Sequence, residues 1–363
     1  MKKIVQVILV FSTAVLLLRA DSIAQEVKAS NAQSWVFSGR VQLQHLWNNE
    51  IASTAAITSN GFRVRRGRLQ TRAKLTDQVS AKFQIEVRDN SPKLKDAEAK
   101  IKLFGNYFLR AGQFKVPVWR EELRSSGKLL LVERSGVAEF LADNYLSARH
   151  VGVELGGKVN KAVGFALNYS NGAGEGGRED AGRKKYDDNV VNNGKLFTGR
   201  VNLVLNRQVQ IGISGALNQL GEKQASMDTR GNVLVLAPDF GVYLPARVDV
   251  EGGFALGSFD KKLTGNSRND RFTLANVTVR WKTGQAGPGE ALGGADVWEV
   301  AAGVSYIEPN NNTADDEYWI LRAGPAICFG KRTRLQVNGE IEKPADSTSD
   351  TVLKIRSQLT VNF

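Results

Sequence analysis

Residues 35–47 read WVFSGRVQLQHLW, and they alternate. Trp35, Phe37, Gly39, Val41, Leu43, His45 and Trp47 fall on one face, and Ser38, Arg40, Gln42 and Gln44 on the other. That is the period-two pattern of a strand with one apolar and one polar side. A tryptophan near each end suits a membrane interface, where an amphipathic ring sits at headgroup level.

Working outward, the same grammar recurs. A strand ending at 75 turns at 76–78 into 79–88. A loop at 89–94 leads to 96–103, a tight turn at 104–106 and a strand over 107–114. Further on, 150–159 and 162–170, then 196–205 and 209–218, form pairs around short turns, with a polar loop at 171–194 between the pairs. A strand at 235–244 is placed mainly because the count would otherwise be odd. Then come 247–259, 271–282, 297–307, 318–329, 332–342 and 351–363. Alternating long and short connections and an even strand number point to an all-β, transmembrane antiparallel β-barrel of about 16 strands, with both chain ends on one side. A soluble β-sandwich would need apolar inward faces, whereas the polar face here reads as charged strand after strand.

The bulk composition agrees. At 363 residues and 24% charged, the chain is too charged for a bundle of membrane helices. No stretch beyond the N-terminus reaches the roughly 20 apolar residues of a spanning helix. Residues 1–24 read as a signal peptide, with Lys2 and Lys3 before an apolar run and Ser22, Ile23 and Ala24 at the cleavage point. Residues 25–34 form a short lead, and 35–363 the barrel. Removing the leader takes the formal charge from +12 to +10. Export argues against nucleic acid as the partner of that charge. Cys328 is the single cysteine, His45 and His150 are the only histidines, and no Gly-x-Ser-x-Gly elbow occurs. No enzyme, metal or cofactor is expected.

Alternation stops at Phe114 and resumes near Val151. The roughly 35 residues between are long for a compact connection and typical of a functional loop. The expectation is a constriction loop, 115–149, folded back into the barrel, bringing Lys115, Arg120, Arg124, Lys128 and Arg134 near the path. Apolar faces toward lipid put Arg40, Arg66, Arg68, Arg72, Lys82, Lys100, Arg110 and further cations in the lumen, against fewer acids, among them Glu86, Asp96, Glu98 and Glu154. Fixed positive charge in a narrow pore raises the local anion concentration. Arg63 and Arg65 fall outward by strict alternation; either they snorkel at the interface or a bulge resets the register.

The blocks GQFKVPVWREELRSSGKLLLVERS (112–135), FRVRRGRLQTRAKL (62–75), LKDAEAKIKLF (94–104), HVGVELGG (150–157), VDVEGGFALGSF (248–259) and VWEVAAGVSYIE (297–308) resemble the phosphate-selective porin O and P family. The resemblance implies a sixteen-stranded porin, a homotrimer in outer-membrane lipid, that passes small anions such as phosphate by passive diffusion. It also implies that Arg65 and Arg66 are the paired arginines, Asp96 the acid near the constriction and Arg134 the loop's terminal arginine. The final Phe363 resembles the C-terminal signal of such proteins. One departure stands out: members specific for phosphate can carry a lysine shortly before the Ser-Ser pair, where this chain has Glu122 before Ser125. A substrate-specific channel with a saturable site for a phosphorylated or acidic solute is the alternative function.

Overall fold

The computed structural model describes residues 33–51, 58–88, 91–177, 194–224, 226–284 and 297–363. The leader at 1–24 and most of the lead at 25–34 lie outside the described residues. Sixteen strands close on themselves: β1 Ser34–Ile51, β2 Thr58–Lys74, β3 Val79–Arg88, β4 Ser91–Lys102, β5 Tyr107–Lys115, β6 Arg149–Lys158, β7 Val163–Ser170 and β8 Leu196–Val204, followed by β9 Val209–Leu220, β10 Gly231–Leu244, β11 Val248–Phe259, β12 Asp270–Lys282, β13 Val297–Glu308, β14 Tyr318–Phe329, β15 Thr333–Pro344 and β16 Val352–Asn362. Each is antiparallel to its neighbours, and β16 returns to β1 with Val41 opposite Val361 and Leu43 opposite Leu359. Closure is what hydrocarbon demands, because an open edge would leave backbone groups unpaired there. Among the described residues no helix is long and apolar enough to cross a membrane; the strands cross it.

The outer faces carry the apolar alternation as expected: Phe37, Leu69, Leu167, Leu236 and Ile355 are all exposed, while Gln42 and Gln44 are buried inside. The strand placed at 235–244 by parity exists and starts earlier, at Gly231. Two readings change. Residues 91–94, expected in a loop at 89–94, belong to β4, which begins at Ser91 opposite Arg88. The inward face is also not charged all round. On β8–β13 part of it is apolar, formed by Leu196, Ala216, Val233, Val235, Ala237, Ala255, Phe272, Leu274 and Ile307.

That inner apolar wall exists to receive the connection between β5 and β6. Residues 116–148 pack against it through Val116, Val118, Trp119, Val137, Ala138, Leu141 and Leu146, all fully buried. A short helix, α1 (Gly136–Asp143), supplies three of these at positions one and four apart, the spacing of a single helical face. Its N-cap is Ser135, whose hydroxyl accepts from the Ala138 N–H. The polar ends of the loop are tied down as well. Trp119 donates its backbone N–H to Ser214 Oγ, Arg120 pairs with Asp239, Val132 N–H donates to the Asn338 carboxamide, and Arg334 donates to the carbonyls of Leu129 and Leu130. The loop therefore lies inside the barrel and reaches from β9 round to β15.

Candidate functional site

Two irregularities in the strands aim cations inward where alternation would not. Between Gln42–Arg66 and Leu43–Val64 the register of β1 and β2 shifts by one, leaving Arg65 as a bulge. The bulge puts Arg63, Arg65 and Arg66 on the inner side together: Arg63 donates to Gln44 Oε1, and Arg65 and Arg66 both pair with Glu133 of the loop, at 2.6 and 3.2 Å. Of the two alternatives for Arg63 and Arg65, the bulge that resets the register is the one the structure holds. A second shift, between Gln84–Asp96 and Ile85–Leu94, does the same for Lys95. Bulges re-aim side chains in this way because one residue is left without a partner across the ladder.

The arginine cluster also has an acid that the strand inventory did not supply, Glu133, because it comes from the loop. Burial would push the Glu133 carboxyl up, but the Arg66 and Arg65 guanidinium groups beside it hold it below the usual carboxylate range. Arg68 pairs with Glu86 at 2.5 Å. Glu122 is buried and bridges Lys115 (3.1 Å) and Arg134 (2.6 Å). Arg124 pairs with Glu251, a lumen acid missed in the sequence along with Asp239 and Asp249. All three were legible: in β10 and β11 they keep the parity of the inward Val233, Val235 and Ala255. Of the residues singled out in the sequence, then, Arg65, Arg66, Arg124 and Arg134 are committed to ion pairs that fix the loop, and Glu122 is the counter-charge of Arg134 and Lys115.

The remainder converge. Beneath the loop, against β1–β5, lies a cavity of about 720 Å³ lined by Arg40, Arg68, Arg72, Lys82, Arg110, Lys115, Lys128, Arg149 and Lys331, with Asp96 and Glu98 as its lining acids. Carboxylates behind the lining answer some of these cations: Glu86 holds Arg68, Glu154 holds Arg110, Glu122 holds Lys115 and Glu175 approaches Arg149. Asp96 takes both Lys82 (2.6 Å) and Arg149 (2.7 Å). Arg40, Arg72, Lys128 and Lys331 face the cavity with no carboxylate partner among the described residues. Arg40 is instead oriented by neutral acceptors, donating to Ser125 Oγ, Ser126 Oγ and Asn362 Oδ1. Gly127 lies so close to its guanidinium that a Cβ there would come within 2.5 Å of Cζ. A serine pair that fixes a guanidinium without neutralising it leaves the full positive charge directed into the cavity.

Residues 52–203 match the family model of phosphate-selective porin O and P. No curated protein matches the chain. Among solved structures, the barrel is similar to an anion-selective porin from Comamonas acidovorans (TM-score 0.65, 12% identity, 91% of this chain and 99% of that one). It is also similar to the outer-membrane channel DcaP of Acinetobacter baumannii (0.64, 11%, 93% and 99%) and to OmpT of Vibrio cholerae in its trimer form (0.61, 11%, 91% and 99%). At such identities these likenesses speak for the barrel itself.

Proposed function

We propose that the chain, whose residues 52–203 match the phosphate-selective porin O and P model, is a bacterial outer-membrane porin, a passive diffusion channel preferring small anions such as phosphate. The observation that carries this reading is the unpartnered charge of Arg40, Arg72, Lys128 and Lys331 around the cavity beneath the loop. Ion pairs elsewhere in the lumen cancel locally; these four do not, and in a narrow, partly desolvated passage their field concentrates anions and opposes cations. Arg68, Lys82, Arg110 and Lys115 line the same passage as paired charges, with Asp96 holding Lys82 and Arg149 in place. Assembly as a homotrimer is part of the proposal, on the pattern of the trimeric neighbour.

The test is the zero-current potential of the purified protein in a planar bilayer under a potassium chloride gradient. Anion preference is expected, and cation preference overturns the reading.

A further inference from the structure

The residues that follow β7 place a carboxylate, that of Glu175, beside Lys95 and Arg149. Residues 171–177, NGAGEGG, fold in with Gly172, Gly174 and Gly176 at φ 71, 78 and 68°, a left-handed backbone that glycine adopts without strain. This segment is clipped to the inner wall at three points. Gly174 N–H donates to His150 Nδ1 (3.2 Å), Gly176 N–H donates to Gln113 Oε1 (2.8 Å), and the Asn218 carboxamide donates to the Gly172 carbonyl (3.0 Å). Between those clips Glu175 presents both carboxylate oxygens to Lys95 Nζ, at 3.0 and 2.7 Å, with Arg149 Nη1 3.5 Å away.

We infer that Lys95 and Arg149 form a carboxylate-accepting subsite that Glu175 fills from within the chain, and that a carboxylated permeant anion binds there by displacing it. It rests on the anion-channel reading above. The occupant shows what the pair accepts: two donors arranged across one carboxylate, the charge-assisted geometry that planar oxyanions favour. Lys95 is available only because of the bulge, and its other contact is with Glu86 at 3.4 Å. Arg149 joins the subsite to the cavity, since its Nε donates to Asp96 at 2.7 Å and its side chain lines the cavity wall. An anion handed from Lys95 to Arg149 therefore enters the basic passage directly. Glu175 keeps nearly a third of its side chain exposed, so a solute can reach it.

A tethered competitor that holds a site nine-tenths of the time weakens apparent affinity about tenfold. The experiment adds succinate to the extracellular side of single channels carrying chloride current. Glu175→Gln is expected to lower the half-blocking succinate concentration about tenfold relative to wild type, and adding Lys95→Gln to that variant abolishes the gain. Unchanged block in Glu175→Gln overturns the subsite, as does a gain that survives the loss of Lys95. Inorganic phosphate gaining more than succinate from Glu175→Gln overturns the carboxylate assignment. The wild-type zero-current potential is recorded in the same bilayers. Cation preference there sinks the channel reading itself, whereas anion preference with unchanged block sinks only this inference.

Discussion

The two sides of the lumen are built on opposite principles. Along β1–β5 the inner wall is charged and faces an open cavity, with Arg72 and Lys128 exposed to it. Along β8–β13 part of the inner wall is an apolar patch, covered by Trp119, Leu141 and Leu146. The loop between them uses each side differently. It is seated by burial on one, which is non-directional and strong, and oriented on the other by hydrogen bonds to Arg40 and by the ion pairs of Glu133. The barrel thus obtains a fixed partition and a charged passage from the same 33 residues, 116–148. Selectivity and mechanical stability are then separable, and substitutions can pull them apart.

The largest effect is expected on the charged side. Around the cavity, cations exceed the carboxylates that line or answer them by three. Arg72→Glu with Lys128→Glu turns this into an excess of one negative charge without breaking an ion pair. The zero-current potential should change sign, while the unfolding temperature in detergent stays near that of wild type. The apolar side should respond the other way. Leu141→Ala removes a fully buried side chain from the loop's seat, at a cost of about 2–5 kcal/mol. Thermal unfolding and protease sensitivity at 116–148 should record that loss, with the sign of the selectivity retained.

The same contrast explains what could be read in the sequence. Strands with one polar side, such as β1 and β16, announced themselves by alternation. β10 did not: in VLVLA both Val233 and Val235 inside and Leu234 and Leu236 outside are apolar, because the inner face packs against the loop instead of water. Its existence was legible only through parity. The loop was legible by length and charge, but its charges pointed to the wrong economy. Glu121, Glu122 and Glu133 are spaced along the sequence with no sign of which cations they meet, and only the fold carries Glu133 to the bulged Arg65. Bulges leave a faint trace, a pair of charged residues where one should be apolar, as at Arg65–Arg66 and Lys95–Asp96. Arg40 was assigned to the lumen correctly, yet its serine partners lie 85 and 86 residues away and no local pattern links them.

Glu122 sits where the two principles meet, buried yet paired to two cations. A lysine there would add a third positive charge to Lys115 and Arg134 inside the protein, so Glu122→Lys is expected to destabilise the loop and not to improve phosphate binding. Glu122→Gln is the informative change. It leaves two buried cations without their counter-charge, and an anion can then supply it. Ligand binding to the folded state alone at a hundredfold over Kd adds about 2.7 kcal/mol. The variant should therefore unfold at lower temperature in chloride than in phosphate, with wild type showing little difference between the two.

The smallest effect asks whether the unpartnered cations act across the passage or only at contact. A cavity of 720 Å³ is about 9 Å wide if equidimensional, close to the Debye length of about 10 Å at 0.1 M salt and well above the roughly 3 Å at 1 M. The fields of Arg40, Arg72, Lys128 and Lys331 overlap across the cavity in dilute salt and are confined to their own surfaces in concentrated salt. Anion preference should fall several-fold between those concentrations. The seat of the loop should not follow it, since Arg120–Asp239 at 3.0 Å and Arg200–Asp239 at 2.6 Å are buried contacts that mobile ions do not enter. Measuring permeability ratio and unfolding temperature over the same salt series decides the point. If both decline together, the loop is held by screened charge and the apolar wall contributes less than its burial indicates.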